Sequence, residues 1–142
     1  MKISIGADHH GFALKEQIMQ HFFQYTWFDV GTFSADRTDY PLFAQRAVLH
    51  IKNHKADCGI LLCGTGIGMS IAANRFKGIY AALCWNSVIA QKAKEDDGAN
   101  VLVLPADYLS EQGAMAIIQA WLDAAFKDGV YQRRLDTVDS YE

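Results

Sequence analysis

Two prolines, three cysteines and no long apolar run are the first features of this 142-residue chain. Each scarcity excludes something. No stretch approaches the ~20 consecutive apolar residues that a membrane-spanning helix needs. The opening "MKISIGADHH" is too short in apolar residues for a secretory leader, and Asp8 breaks it at once. Cys58, Cys63 and Cys84 are odd in number and lack zinc-ligand spacing, so no metal site is expected from them. Without a leader, they are expected to be reduced thiols in a cytoplasmic protein. A formal charge of −3 leaves no basic footprint for nucleic acid. There is no internal repeat and no low-complexity linker. The length suits a single domain over residues 1–142, and a hydrophobic fraction of 51% is ample for a core.

What is present is an alternation of strand and helix patterns. Strands are expected at 2–7, 26–31, 58–63, 79–84 and 100–105, the last ended by Pro105. Helices are expected at 11–23, 42–53, 67–76, 86–97 and 110–126, with a short polar one in the tail at 129–142. Pro41 falls in a first turn, Asn86 or Ser87 suits a helix cap, and so does Ser110. "CGILLC" is apolar throughout, as a strand covered on both faces must be. This pattern predicts an α/β fold: a single Rossmann-like three-layer α-β-α sandwich around a five-stranded parallel sheet, with right-handed crossovers. In such sheets ligands sit beyond the carboxyl ends of the strands. That draws attention to Asp8 and His9, the loop from Arg37 to Tyr40, Cys63 to Gly68, Trp85 and Asn86, and Pro105 to Tyr108.

The stretch "LLCGTGIGMS" ends an apolar strand in a thiol and a G-x-G-x-G turn at Gly64, Gly66 and Gly68. Neither the G-x-G-x-x-G dinucleotide pattern nor the lysine-bearing P-loop fits. What remains is a row of backbone N–H groups leading into a helix, suited to a phosphate or a developing oxyanion. The positive helix end is expected to lower the Cys63 pKa toward neutrality and make it a base or nucleophile. The alternative is a buried core cysteine. Thr65 can donate to the same oxyanion. Asp8 suits sugar hydroxyls or a helix cap, and His9 suits phosphate binding or proton transfer. His10 is expected on the loop surface. His50 and His54, spaced i, i+4, are expected on an exposed helix face. Arg133 and Arg134 fit either a phosphate or solvent.

"IGADHHGFALK", "GTFSADRTDYP", "GILLCGTGIGMSIAANRFKGIYAALC" and "ANVLVL" together resemble the ribose-5-phosphate isomerase B family, whose pattern the galactose-6-phosphate isomerase subunits share. The likeness runs from residue 2 to about residue 126. It implies a metal-free and cofactor-free aldose–ketose isomerase of a sugar phosphate, working through an enediolate. In that reading Cys63 is the base, and Thr65 with the backbone of Gly64, Gly66, Ile67 and Gly68 holds the enediolate oxygen. Asp8 orients hydroxyls, and His9 contacts the phosphate or ring oxygen. One branch uses a glutamate where this chain has Met69, which places the chain in the cysteine branch.

The resemblance further implies a homodimer or tetramer with shared sites, a mixed-subunit complex being the alternative. The tail helix would reach the neighbouring chain. The neighbour would supply a His-Asn pair and two tail arginines. Here Asp96 and Asp97 occupy the His-Asn positions, Val130 replaces the first arginine, Tyr131 stands where a histidine often sits, and Arg134 matches the second arginine. An ionised aspartate cannot donate the proton that opens a sugar ring. Three expectations follow. His9 takes over ring opening on ribose 5-phosphate; or the substrate is a tetrose 4-phosphate that cannot close a ring; or a different subunit, as for galactose 6-phosphate, completes the site. A non-catalytic sugar-phosphate-binding paralogue is the alternative from another class. A redox role for Cys63 lacks a resolving cysteine.

Overall fold

The computed structural model describes residues 1–141; Glu142, the end of the expected tail helix, lies outside the described residues. The chain alternates β1 (Lys2–Ala7), α1 (Phe12–His21), β2 (Thr26–Asp29), α2 (Tyr40–Lys52), β3 (Cys58–Cys63), α3 (Ile67–Ala73), β4 (Ala81–Leu83), α4 (Ser87–Asp97) and β5 (Val101–Pro105). A 3-10 turn (Ala106–Tyr108), α5 (Glu111–Asp123) and α6 (Val130–Asp139) follow. The five strands form one sheet in the order β2-β1-β3-β5-β4, every pair parallel. The expected fold class is what forms, and β3 is the central strand, buried at all six positions.

Alternation along β3 assigns its two faces. Ile60 and Leu62 join Leu14, Ile18, Ala90, Ile118 and Trp121 under α1, α4 and α5. Leu61 and Cys63 join Phe43, Ala47, Met69 and Ala73 under α2 and α3. The sheet is thus covered on both sides, as a parallel sheet requires. Trp121 is fully buried, and its indole N–H donates to the Ala99 carbonyl at 3.1 Å, so the largest core side chain leaves no polar atom unpaired. Among the described residues no helix is long and apolar enough to cross a membrane.

The expected caps form. Asn86 Oδ1 accepts the Ile89 N–H at 2.9 Å, Ser110 Oγ accepts the Gly113 N–H at 3.0 Å, and Pro41 lies in the first turn of α2. Several elements end a few residues inside their expected bounds: α1 spans Phe12–His21, β2 ends at Asp29 and α5 ends at Asp123, while α3 and β4 are shortened by two asparagines. Asn74 stops α3 at Ala73, and its side-chain amide pairs with both backbone groups of Ala81 at 2.8 and 2.9 Å. Asn100 Oδ1 takes the Tyr80 N–H at 2.8 Å. Side chains therefore share with the backbone in holding the start of the fourth strand, where the Asn100 and Val101 N–H groups also donate to the Tyr80 carbonyl at 3.1 and 3.3 Å. Helix α2 ends at Lys52, so His54 lies beyond it at φ 57°, and the expected shared helix face with His50 does not form.

The strand order changes direction between β1 and β3. From β1 the chain moves outward to β2, and from β3 it moves the other way to β4 and β5. Ala7 is in register with Leu62, so Asp8, just past β1, and Cys63, the last residue of β3, emerge side by side.

Candidate active site

Asp8 is buried (6% exposed) and anchored by its own backbone, whose N–H donates to the Leu62 carbonyl at 3.2 Å. Its Oδ1 accepts the N–H groups of His10 (2.9 Å) and Gly11 (3.2 Å). It therefore closes the turn ahead of α1. The expected helix cap differs in detail, because the capping position is Gly11 and carries no side-chain bond. One carboxylate oxygen stays free of these bonds.

His9 is oriented from outside its own turn. The Thr38 N–H donates to His9 Nδ1 at 3.2 Å. In the neutral imidazole that bond puts the ring proton on Nε2. Asp8, His9 and His10 form one wall of a cleft of about 610 Å3, and Arg37 to Pro41 form the other. Thr38 Oγ1 is buried without a hydrogen-bond partner among the described residues, a polar atom of the kind that a ligand hydroxyl satisfies.

Cys63 is 5% exposed and ends β3 on the α2–α3 face. The backbone amides of Met69, Gly66 and Gly68 face its sulfur and favour the thiolate. Burial outweighs them, and the Asp8 charge adds to burial, so the thiol pKa lies above its usual 9.0. The expected shift toward neutrality is thus corrected. The donors are where the sequence puts them, but desolvation of the anion is the larger effect. Gly66 starts α3 at φ +76°, and a Cβ there would lie 2.4 Å from Leu83 Cδ1, so backbone sign and space both demand glycine. Gly68 is needed for a different reason. The Tyr40 ring lies where its Cβ would be, 2.6 Å from Cζ, which joins the cleft wall to the glycine turn. Thr65 is exposed, and its Oγ1 accepts the Ile67 N–H at 3.2 Å, leaving the hydroxyl proton free to donate.

A pair that the sequence did not suggest closes the far side. His10 Nδ1 lies 3.0 Å from Asp107 Oδ2, and the Asp107 N–H donates to the Gly64 carbonyl at 3.0 Å. Asp107 follows β5, so three strand ends meet around the turn. The loops were legible as strand-end positions; the pairing of His10 with Asp107 had no local signal.

The remaining expected residues are elsewhere. Helix α6 packs beside the strand starts. Leu135 lines a hollow with Met1, Asp57 and Cys58, and Tyr80 hydrogen-bonds Asp139. Arg134 and Val130 are therefore near the amino end of a sheet whose strands are roughly 17 Å long, whereas Cys63 is at its carboxyl end. Asp96 is paired with Lys127 at 2.7 Å. The Lys127 hydrogen bond holds its carboxyl below the usual range, with Lys92 and Arg134 adding to that. Asp97 is exposed. Lys127 and Arg134 lie 5.2 and 5.4 Å from the Tyr131 ring. Among the described residues, no group of three or more His, Cys, Asp or Glu side chains comes together to hold a metal.

A buried thiol faced by amides and by the Asp8 carboxylate, with Asp8 also lining an open cleft beside the His9 imidazole at a parallel sheet's switch point, is the layout of an α/β enzyme that moves protons on a small polar substrate. The particular family follows from comparison. The chain belongs to the family described as Ribose/Galactose Isomerase, whose pattern matches residues 3–138. It is 39% identical to ribose-5-phosphate isomerase B of Escherichia coli over 143 residues, 99% of this chain and 96% of that protein. It is also 39% identical to D-erythrulose-4-phosphate isomerase of Pectobacterium atrosepticum, over 100% of this chain and 95% of that one. The crystal structure of ribose-5-phosphate isomerase B from Mycoplasma genitalium with bound ribulose 5-phosphate has a TM-score of 0.93 at 38% identity, covering 99% and 95% of the two chains.

Proposed function

We propose that this chain interconverts ribose 5-phosphate and ribulose 5-phosphate by moving a proton between C1 and C2, with Cys63 as the base. As a family member the chain is an aldose–ketose isomerase of a sugar phosphate. The observation that carries the residue assignment is the setting of Cys63: a buried sulfur, three backbone amides facing it, and the charge of Asp8, which also lines the cleft with His9. The thiolate takes the proton from C2 of the open-chain aldose and becomes the thiol. The charge left behind spreads onto the oxygen at C1. The backbone around Gly64, Gly66, Ile67 and Gly68 and the Thr65 hydroxyl stabilise that oxyanion. The proton of the C2 hydroxyl passes to the oxygen at C1, the thiol returns its own proton to C1, and the ketose forms with its carbonyl at C2. Asp8 orients the sugar hydroxyls through its free oxygen. His9, with its proton on Nε2, serves the ring oxygen or the phosphate. No step calls on a metal or a cofactor.

A second substrate has its own support. Lys127 pairs with Asp96 and keeps it ionised, so it cannot donate the proton for ring opening. A tetrose 4-phosphate needs no such step, and one relative is an isomerase of that class.

The site is completed, in this reading, by a second copy of the chain. Arg134 cannot reach Cys63 of its own chain across the sheet. The face around edge strand β4 exposes Ile67 and Ile71 (both 55%), Trp85 (59%) and Val88 (66%), apolar residues that a partner would cover. Ile67 belongs to both the glycine turn and this face. The whole chain is then one sugar-phosphate isomerase domain of a cytoplasmic enzyme, its tail helix α6 reaching the neighbour. The test is proton exchange in heavy water, followed by NMR, with ribose 5-phosphate, a tetrose 4-phosphate and galactose 6-phosphate, and with Cys63→Ala as control. Deuterium entering one sugar at the carbon beside the carbonyl, and only with Cys63 present, supports the reading. Exchange that survives Cys63→Ala overturns it.

A further inference from the structure

Lys15 is the most deeply buried charged side chain, at 0% exposure, and the chemistry above makes no use of it. Its ammonium donates to Asp29 Oδ2 at 2.7 Å and Glu16 Oε1 at 2.9 Å, and lies 5.6 and 5.4 Å from the rings of Phe12 and Phe33. Burying an ammonium is expensive, and an apolar side chain of similar size often serves stability equally well. A stability role therefore gives no reason for lysine here. The other end of the contact does.

Asp29 ends β2, and its second oxygen accepts the Gly31 N–H at 2.9 Å. Gly31 and Thr32 in turn bond both backbone groups of Ala7, each at 2.8 Å, directly before Asp8. From this root the chain runs through Phe33, which covers the ammonium, to Thr38 and Tyr40. Thr38 holds His9 Nδ1, and Tyr40 lies on Gly68. One carboxylate thus receives the buried cation on one side and the root of the cleft loop on the other.

We propose that the Lys15–Asp29 pair is a positioning device for the isomerase site: it fixes the root of the 31–39 loop, and through Thr38 it fixes the orientation of the His9 imidazole. The inference rests on the isomerase reading only for its kinetic consequence; the orientation of His9 is separately measurable. Glu16 supplies the internal control. It binds the same ammonium, but it is 42% exposed and none of its hydrogen bonds goes to the loop.

The experiment compares Asp29→Asn, Lys15→Met and Glu16→Gln with the unaltered chain. Stability is followed by thermal melting, the Thr38 amide by hydrogen exchange and the His9 ring by nitrogen-15 NMR. The activities kcat and KM are measured on whichever sugar phosphate exchanges. Asp29→Asn keeps shape and volume, so it remains informative if Lys15→Met fails to fold. The expected result is a folded Asp29→Asn protein with faster Thr38 exchange and a shifted His9 Nδ1 resonance. Its kcat falls about tenfold, as expected for a misplaced catalytic group, while Glu16→Gln stays within about twofold of the unaltered chain on every readout. Unchanged Thr38 exchange and an unchanged His9 spectrum in Asp29→Asn overturn the proposal, whatever happens to the melting temperature. An equal effect of Glu16→Gln also overturns it, since the pair would then be acting as a general ionic staple. If the unaltered chain turns over none of the sugars, the isomerase reading fails, and the two NMR readouts still decide whether Lys15 and Asp29 orient His9.

Discussion

The two ends of the sheet differ in how they hold their polar residues. At the carboxyl end, Asp8, His9, Cys63 and Asp107 lie at or just past strand ends, and backbone groups fix them: Leu62 for Asp8, Thr38 for His9, the glycine-turn amides for Cys63, Gly64 for Asp107. At the amino end, Asp96, Lys127, Tyr131 and Arg134 are carried on helices and a loop and satisfy one another through side-chain contacts. The first arrangement is rigid and assembled within one chain. The second lies on half-buried and exposed helix and loop positions. The contrast teaches that polar groups held by backbone donors and acceptors take their positions from the fold, whereas side chains that satisfy one another depend on the identity of their partners.

The largest effect should come from removing the base. Cys63→Ala should lower kcat by about 10²- to 10⁴-fold, the usual range for a general base, with the fold intact by circular dichroism. A smaller loss would mean that the carboxyl end is not where the proton moves. The pH profile sharpens this. In the proposed mechanism Cys63 acts as the thiolate, and burial pushes its pKa above 9.0. Therefore kcat/KM should climb with pH through neutrality and still be rising at the ordinary thiol value.

Gly68→Ala tests whether the glycine turn and the cleft are one unit. Its Cβ would meet the Tyr40 ring at 2.6 to 2.9 Å. Overpacking of that kind costs about 1–3 kcal/mol, readable by urea unfolding, and KM should rise with it. If KM is unchanged, Tyr40 is not part of the substrate wall. At the other end of the sheet, Val130→Arg supplies the cation that the resemblance implies at this position. An added charge-assisted contact of about 1.5 kcal/mol should lower KM for a sugar phosphate about tenfold, and only in the oligomer. No change would place α6 outside the site.

The smallest effect concerns the thiols that do no chemistry. Burial pushes Cys58 and Cys84 up to about 11, against 9.0 for an ordinary thiol. An unfolded chain gives up these protons first. Their contribution to stability is therefore complete below about pH 9 and is lost as pH rises toward about 11. Melting temperature should fall over that interval, and less steeply in Cys58→Ala and Cys84→Ala proteins. An unaltered slope would show that other groups govern the alkaline limb.

Sequence alone determined which segments are strands and helices, because the 2.0 and 3.6 periodicities, Pro41, Asn86 and Ser110 act within a few residues of where they stand. It also determined that Cys63 would end a doubly covered strand at a turn rich in backbone donors. Tertiary structure decided the rest. The order β2-β1-β3-β5-β4 brings Asp8 beside Cys63. Packing of β5 beside β3 brings Asp107 to His10. The loop's return across β1 brings Thr38 to His9, and the Lys15–Asp29 pair ties that loop to α1. The sign of the Cys63 shift also belongs to the fold. Local sequence supplies the amides that stabilise a thiolate, but the surrounding layers set the desolvation that opposes them, and desolvation is the larger effect.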